Sequence, residues 1–355
     1  MKRWIFLVSV AAFAVSPPVG AQDFNDIVQT GSPEQVRAAI DGGADVKAKG
    51  DNDATPLHLA AQSNGNPEVI RLLVKAGAPL DAFDVNGCTP LLGCLEGRDK
   101  RPEIALVLVQ AGANVDIADA NGYTPLLLAL GKKYPADFAL ALLSAGAKAK
   151  STKAGVPLVA ALSGGFPSTV VKALLKAGAK VDEGNGNGVL PICAAIMGNA
   201  PGEVVGALLQ AGADPKAKTR DGLTTLMLAA DDDRHQEVEA LLVKAGADPN
   251  ARDPNGLTPL MHALTYGEMT GQDPRIAVAL VRLGADVNAK DPNGVTPLMY
   301  ATGSANAPTL IFAFLSLHAD AKAKDSSGKT ALDYAKQNPK LVGSDAYKAL
   351  EKASL

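Results

Sequence analysis

The sequence predicts an all-α repeat solenoid, a stack of similar helical units, from two signatures that recur in phase. The first is a helix start at Thr55–Leu57, whose pattern returns at offsets that are mostly 34 residues. The second is a helix ending at Leu72–Ala78, which returns together with the first. Aromatic residues form only 4% of the 355 residues, although 47% are hydrophobic, and this composition favours thin layers of small side chains over one large core.

The stretch Thr224–Gly256 contains one complete copy. Thr224 is placed to cap a first short helix through its hydroxyl. A second helix, with apolar residues at helical spacing, ends at Gly246, because glycine adopts the left-handed conformation without a side-chain clash. The segment Asp253–Gly256 predicts a tight turn at the tip of an extended finger. Two helices this short cannot bury their apolar faces alone, so each copy needs neighbours of the same shape.

The helix start combines a capping residue, usually threonine, with a following proline in most copies and then an apolar residue. It occurs nine times, at Thr55, Thr89, Thr124, Val156, Leu190, Thr224, Thr258, Thr296 and Thr330. Proline suits the first turn of a helix, where its missing N–H would have had no partner. Nine starts in phase with the helix endings are a far stronger signal than one motif.

With these motifs the sequence resembles the ankyrin-repeat family, most clearly in TPLHLAA at Thr55–Ala61, followed by Glu68–Leu73 and Gly77-Ala78. The resemblance covers about Asp23 to Leu355. It implies a right-handed stack of antiparallel helix pairs joined by projecting β-hairpin fingers, with about nine to ten copies including the caps. The domain limits that it implies are an N-terminal cap repeat at 22–50, internal repeats at 51–325 and a C-terminal cap repeat at 326–355.

The copies are not uniform. The finger between Gly146 and Val156 is two residues shorter than the others, and the next finger, Glu183–Gly188, is rich in glycine. We therefore expect a notch in the row of fingers and lower local stability in the middle of the chain. The longest loop between paired helices is predicted at Thr265–Pro274.

Residues 1–21 have the pattern of a secretory leader. Lys2 and Arg3 precede an apolar run, Trp4–Val15, and small residues at Val19–Ala21 suit a signal peptidase. The alternative is an uncleaved anchor, although the run is shorter than the roughly 20 residues that a membrane span needs. We expect a mature, exported chain without a membrane span, in the periplasm or, alternatively, secreted.

Charge and cysteine usage exclude several classes of function. The formal net charge is −3, which disfavours nucleic-acid binding because that function needs a basic surface. Three cysteines at irregular spacing do not suggest a disulfide framework. We interpret Cys94 and Cys193 as buried thiols, and a bridge between Cys88 and Cys94 is the only local candidate.

No pattern of catalytic residues stands out, so we predict neither enzymatic activity nor a cofactor. His58 occupies the family's Thr-Pro-Leu-His position, where the resemblance implies a structural imidazole. His262 and Tyr300 fall at the same position of adjacent copies, and we expect their rings to pack. The acidic run Asp231–Asp233 lacks the ligand spacing of a calcium loop and is interpreted as a solvated loop. Gly184–Gly188 precedes a helix but has no phosphate-binding lysine.

The fingers carry the informative variation, because ankyrin proteins usually bind partners through finger tips and first helices. Two sets of candidate partner-binding residues result. The C-terminal set, which we name the cationic ladder, is Lys216, Lys218, Arg252, Lys290, Lys322 and Lys324. The N-terminal set, which we name the apolar fingers, is Phe83, Ile117 and Tyr123, beside Asp81 and Asp116. Solvated fingers with no partner are the alternative interpretation of the ladder.

The sequence therefore predicts a monomeric, non-catalytic scaffold in the cell envelope that binds a partner protein on a concave finger-lined face. One alternative is a periplasmic immunity or inhibitor protein that blocks a toxic enzyme. Another is a secreted effector directed at a host protein. An alternative of a different class is a metal- or thiol-dependent enzyme that uses Cys94, Cys193 or Asp231–Asp233.

Overall fold

Short helices in sequential pairs make up the chain in the computed structural model, which describes residues 21–97, 99–231, 236–270 and 274–355. Twenty α-helices lie in these described residues, and consecutive helices form ten pairs. The predicted all-α repeat solenoid is thereby confirmed, with the expected number of copies. The chain divides into two compact units, the first ending at Leu128 and the second beginning at Ala129.

The first helix of each pair is numbered odd and the second even. The odd-numbered helices are α1 (Ala21–Thr30), α3 (Pro56–Ser63), α5 (Pro90–Glu96), α7 (Pro125–Gly131), α9 (Pro157–Ser163), α11 (Pro191–Met197), α13 (Thr225–Ala230), α15 (Pro259–Thr270), α17 (Pro297–Ala301) and α19 (Ala331–Ala335). The even-numbered helices are α2 (Pro33–Asp41), α4 (Pro67–Lys75), α6 (Pro102–Gln110), α8 (Ala136–Ser144), α10 (Ser168–Lys176), α12 (Gly202–Gln210), α14 (Gln236–Lys244), α16 (Pro274–Arg282), α18 (Ala307–Ser316) and α20 (Asp345–Ser354). A single 3₁₀ turn, Asp51–Asp53, precedes α3 among the described residues.

Local sequence chemistry sets where the helices begin and end. Thr224 accepts a hydrogen bond from the backbone N–H of Met227 through its hydroxyl, as predicted for a capping residue. The second helix of the same pair, α14, ends two residues before Gly246, whose φ of 109° lies in the left-handed region. Two of the first helices, α9 and α11, begin after Val156 and Leu190 and have no side-chain cap.

In the first unit, the helices pack in two rows. Helix α3 lies between α1 and α5, and α4 packs against α2 and α6. Each pair also packs internally, as α3 does on α4. Because each helix is covered on several sides, Leu57, Leu73 and Leu91 are fully buried. The core of this unit is therefore a succession of thin apolar layers, as the composition predicted.

The second unit repeats this arrangement. The odd-numbered helices from α9 to α19 contact one another in chain order. The even-numbered helices from α8 to α18 do the same in a second row. The last helix, α20, packs on α18 and α19 and buries Ala346 and Leu350. A polar closing helix with one buried edge is what an end cap of a repeat stack needs, and the C-terminal cap repeat at 326–355 stays a prediction.

The fingers are turns and not strand-forming hairpins. In the described residues the only β-pairing outside helices consists of two isolated bridges, Thr152–Gly155 and Lys218–Thr224. At a typical finger, Asp84 N–H donates to Cys88 O and Gly87 N–H to Asp84 O. A segment this short closes on itself before a strand can form, so the expected β-hairpins reduce to a hydrogen-bonded turn that ends in a left-handed glycine, Gly87 with φ of 74°.

Two other expectations need correction or remain open. The loop predicted at Thr265–Pro274 is shorter than expected, because α15 continues to Thr270. This segment contains no proline before Pro274, and Thr265 donates its hydroxyl to the carbonyl of Met261 within the helix. The notch and the lower stability of the middle copies stay predictions. Across the described residues no helix has the length and apolarity to cross a membrane, and the leader proposed for residues 1–21 falls outside them except for Ala21.

Candidate protein-binding surface

A side chain at the base of most fingers holds the finger turn in shape. The Asp119 carboxylate accepts hydrogen bonds from the backbone N–H groups of Asn121 and Tyr123, at 2.9 and 2.7 Å. The same two bonds form at other fingers, with aspartate or asparagine as acceptor, at Asp84, Asn185, Asp253, Asp291 and Asp325. Because Asn185 makes this turn, the glycine-rich segment Gly184–Gly188 is a finger tip, and its glycines serve the turn.

The apolar fingers of the first unit expose large hydrophobic side chains. Phe83 is 50% exposed, Val85 60% and Tyr123 39%, whereas Ile117 is half-buried. A cleft of about 560 Å³ opens between the two finger tips, lined by Phe83, Val85, Asn86, Gly87, Ala118, Asp119, Ala120 and Asn121. Of the three predicted residues, Phe83 lines this cleft, together with Val85, which the sequence reasoning missed. Tyr123 is exposed on the neighbouring finger but is not among the residues that line the cleft.

The finger with Phe83 is fixed by the preceding repeat. His58 is fully buried, and its Nε2 lies 3.0 Å from the carbonyl oxygen of Cys88 at the finger base. Its Nδ1 accepts a hydrogen bond from the backbone N–H of Thr55, so the proton lies on Nε2 and is donated to Cys88. Burial lowers the pKa of His58, which favours this neutral form. The structural role implied for His58 is confirmed.

Two further hydrogen bonds join neighbouring repeats of the first unit. The backbone N–H of Val85 donates to the carbonyl of Asn52, and the N–H of Asn114 donates to the Asp81 carboxylate, both at 2.9 Å. The exposed apolar side chains are thus displayed on backbone that is held in place on both sides. Binding to such a surface loses little conformational entropy from the protein itself.

All six side chains of the cationic ladder are exposed, as predicted, and lie in the second unit. Two of them also perform a structural task. Arg252 donates from Nη1 to the carbonyl of Lys290 at 2.8 Å, and Lys290 donates from Nζ to the carbonyl of Lys324 at 3.4 Å. Each cation therefore links its finger to the next one. Lys216 and Lys218 are exposed on the finger before that of Arg252, and Lys322 is exposed on the same finger as Lys324.

Asparagine side chains form a second set of links between the same repeats. Asn250 accepts from the backbone N–H of Asp286 at 2.7 Å and donates to the carbonyl of Gly284 at 3.0 Å. Asn288 makes the equivalent pair of bonds to Asp320 and His318. The asparagines in these finger positions are therefore structural, and the free charge of the surface comes from the lysines.

The side chains of His262 and Tyr300, which share one position in adjacent copies, each contact a finger aspartate. The sequence reasoning did not foresee these contacts. His262 Nε2 lies 3.2 Å from the Asp253 carboxylate, and the Tyr300 hydroxyl donates to Asp291 at 3.0 Å. Tyr334, one copy later, donates to Asp325 at 2.7 Å. This bond raises the pKa of Tyr334 and lowers that of Asp325 to about 2. The predicted packing of the His262 and Tyr300 rings stays a prediction.

A cleft of about 620 Å³ lies beside two of these tyrosines, between the last two repeats. Its walls include Tyr300, Tyr334, Met299, Pro339 and Lys340. Its mixture of aromatic, amide and charged groups fits a docking groove for a polypeptide better than a deep ligand pocket, which would be mostly apolar. The signal that could have found it is the recurrence of an aromatic ring four residues after the capping threonine.

The groups that would support an enzyme are poorly placed for chemistry. Cys88, Cys94 and Cys193 are free and buried, and burial raises their pKa values to about 12, 12 and 11. Thiols with pKa values this high carry almost no thiolate at neutral pH, so they are weak nucleophiles. No cluster of three or more histidine, cysteine or acidic side chains that could hold a metal occurs in the described part of the chain.

The acidic run differs in part from its interpretation as a solvated loop. Asp231 closes α13, is half-buried and lies 3.8 Å from Nδ1 of His262. Burial raises the pKa of Asp231 to about 6, and the nearby His262 partly opposes this shift. Its solvation was overestimated because the neighbouring repeat covers the end of α13. Asp232 and Asp233 lie outside the described residues.

The sequence reasoning missed one buried carboxyl group altogether. Glu239, on α14, is fully buried, and neither of its carboxylate oxygens has a hydrogen-bond partner within the described part of the chain. Burial alone raises its pKa to about 8. A comparison of the copies would have found it, because the same slot in other second helices is apolar, as Val171, Val205 and Ile311 show.

The two units differ in charge. Residues 22–128 contain 8 lysines and arginines against 15 aspartates and glutamates, a net charge of −7. Residues 129–355 contain 24 against 22, a net charge of +2. The apolar fingers therefore lie in the acidic unit, and the cationic ladder in the weakly basic one.

Comparison with known families agrees with the fold. Models described as ankyrin repeats (3 copies) match residues 24–119 and 192–271, one described as ankyrin repeats (many copies) matches 280–335, and one described as ankyrin repeat matches 255–292. Because these matches cover more than half of the 355 residues, the chain belongs to the ankyrin-repeat family. Ankyrin repeats are generally protein–protein interaction modules, and a protein partner is the general expectation for this chain. A comparison with curated proteins finds no match.

Proposed function

We propose that this chain is a non-catalytic scaffold of the cell envelope that binds a partner protein through its fingers and first helices. The observation that carries the proposal is the display of exposed apolar and cationic side chains on fingers that neighbouring repeats hold rigidly. Phe83 and Lys218 are examples from the two units. A surface ordered before binding costs little entropy on association, which suits recognition of another folded protein or segment.

The arrangement of polar groups supports binding over catalysis. The finger aspartates and the asparagines Asn250 and Asn288 have their hydrogen-bonding groups engaged in turns or in links between repeats. The thiols are buried in their ordinary protonated form, since their pKa values are raised. What remains exposed is a set of charges and apolar surfaces, and these determine affinity and partner choice.

The proposed location follows from the leader pattern of residues 1–21, followed by a repeat region whose mature form begins near Gln22. Export through a cleaved leader would place the scaffold in the periplasm, and further secretion is the alternative. Intact mass measurement of the protein from periplasmic, membrane and culture fractions separates these outcomes. Retention of residues 1–21 in a membrane fraction would contradict a cleaved leader.

The partner is tested by crosslinking in an envelope extract, followed by mass spectrometric identification. Charge reversal at all six residues of the cationic ladder would be a poor test of partner binding, because Arg252 and Lys290 also hold the next finger in place. The double variant Lys216→Glu, Lys218→Glu reverses two charges and leaves those bonds intact. The variant Phe83→Ser removes an exposed ring. We expect at least one of these two variants to lose the identified partner at least 10-fold.

A matched control is Phe312→Ser, on α18, because Phe312 is 48% exposed and lies away from the finger turns. This variant should retain the partner. If both finger variants capture it as well as the unchanged chain does, the proposed surface is wrong. If the purified chain turns over a substrate, the non-catalytic part of the proposal fails.

A further inference from the structure

We infer that the apolar fingers of the first unit bind a segment of a partner protein in which a large apolar side chain is flanked by lysine or arginine. This inference rests on the proposed function and specifies the chemistry of one part of its surface. Two independent observations carry it: a cleft beside two exposed apolar side chains, and two finger segments whose charged residues are all aspartates.

The apolar observation concerns the two neighbouring fingers. Phe83 and Val85 are at least half exposed on the tip of one finger, and the cleft of about 560 Å³ separates that tip from the next. Tyr123 adds a partly exposed ring at the base of the second finger. Exposed aromatic and aliphatic side chains grouped beside a cleft are typical of protein interaction sites, because they offer area for an anchoring side chain.

The charge observation concerns the same two segments. Residues 81–88 and 116–123 contain four aspartates and no lysine or arginine. Asp81 is exposed, and Asp84 and Asp119 lie at the turns below the tips. Two finger segments of the second unit contrast with these, since 215–223 and 321–329 each contain 3 cations against 1 aspartate. The cleft beside Phe83 and Val85 therefore lies between acidic finger bases in the acidic unit.

This combination selects one kind of occupant. A nucleic acid or an anionic lipid surface would meet a repulsive field, because both are negatively charged. A purely apolar segment would leave the aspartates without a counter-charge. A segment with one large apolar residue and cations beside it satisfies the cleft and the field together, and the field would also speed its association.

The experiment is a selection of random 12-residue peptides by display on the purified full chain, followed by affinity measurement with the most enriched synthetic peptide. We expect enrichment of peptides with a large apolar residue within two positions of lysine or arginine. Their affinity should fall at least 10-fold for the double variant Phe83→Ser, Val85→Ser. It should also weaken about 10-fold between 50 and 500 mM NaCl, and less so for Asp81→Asn, Asp116→Asn.

The asparagine changes keep an oxygen acceptor for the Asn114 N–H, so they remove charge while the finger keeps its bond. Phe312→Ser is the matched control and should bind the peptide unchanged, with circular dichroism confirming that all variants fold. Enrichment of acidic or uncharged peptides, binding that survives the Phe83 and Val85 changes, or no enrichment at all would overturn the inference. These outcomes leave the proposed function intact if the crosslinked partner depends on Lys216 and Lys218 instead.

Discussion

Glu239 shows how one residue can set the pH dependence of a repeat. Its slot is apolar and buried in the neighbouring second helices, at Val205 on α12 and Ala277 on α16. A carboxylate there would be a charge removed from water, so the folded protein retains the proton until the pH reaches about 8, against an ordinary pKa of 4.5. The unfolded chain releases this proton at much lower pH.

We predict that Glu239→Val stabilises the protein, and that it does so more at high pH than at low pH. Because the pKa is raised on folding, the free energy of unfolding is highest below pH 4.5 and falls as the pH rises towards 8. The gain from valine should be on the order of 3 kcal/mol larger at pH 8 than at pH 5. Urea unfolding at the two pH values measures it.

Glu237→Gln is the control for that measurement, because Glu237 is exposed on the same helix. Its effect on stability should be small and nearly the same at both pH values. An equal gain from Glu239→Val at pH 5 and pH 8 would show that the carboxyl group is hydrated or paired in the folded protein.

The role of a single residue could be predicted from the sequence when its contacts lie within one motif, and not when they reach another repeat. His58 was predicted correctly because its bond to Thr55 lies within one motif. The bonds of Arg252 and Lys290 to the next finger were not foreseen, because they depend on the distance between repeats that are 34 or more residues apart in sequence. Glu239 was visible in the sequence but only after alignment of the copies.

At the scale of elements, the helix starts differ in one measurable way. Thr224, Thr89 and Thr296 each cap a first helix with a hydroxyl, whereas Val156 before α9 has the same extended backbone and no hydroxyl. Valine and threonine have nearly the same shape. The backbone N–H groups at the start of α9 therefore lack a cap that α5, α13 and α17 have.

We predict that Val156→Thr stabilises the protein by about 1 kcal/mol, the usual worth of a threonine cap. Thermal unfolding and hydrogen exchange of the first turn of α9 measure the gain. The reverse change, Thr224→Val, should cost a similar amount at α13. If Val156→Thr destabilises the chain, burial of the valine methyl group at that position outweighs the cap.

The elements themselves were largely predictable, since proline, threonine and glycine mark the ends of most helices in the sequence. The fingers were less so. Their Asp-x-Asn-Gly pattern predicted a tight turn correctly. The aspartate carboxylate accepts hydrogen bonds from two backbone N–H groups of the same finger, however, and a segment closed this tightly is too short to form strands. The length of α15 was also misjudged, because a loop was expected where the helix continues through Gly267 and no proline occurs before Pro274.

At the scale of the whole molecule, the main contacts between the described helices of each unit connect near neighbours in sequence. In the second unit, α18 contacts α16, α17 and α20, and α20 contacts α18 and α19. Stability in such an array is close to a sum over repeats and the interfaces between them. The repeat architecture could be predicted from the period, but the partner could not, because the same fold serves many recognition tasks and the recognition residues vary freely.

This architecture predicts that damage to one end stays local. Removal of residues 345–355 deletes α20 and uncovers the apolar surface that Ala346 and Leu350 cover. We expect the free energy of local opening of α17, α18 and α19 to fall by about 2 kcal/mol or more, since burial of one leucine is worth about that much. Protection of α3, α4, α5 and α6 should not change, because they lie in the first compact unit and the stability of a repeat depends mainly on its neighbours.

Hydrogen exchange with mass spectrometry resolves the two regions in one experiment. Deletion of Leu355 alone is the matched control, since this residue is 94% exposed and its loss should leave every helix protected. A graded loss, largest in α18 and α19 and smaller towards α13, would fit an array of repeats coupled through their interfaces. An equal loss in α3 and α18 would instead show that the chain unfolds as one cooperative unit, and the additive description of its stability would be wrong.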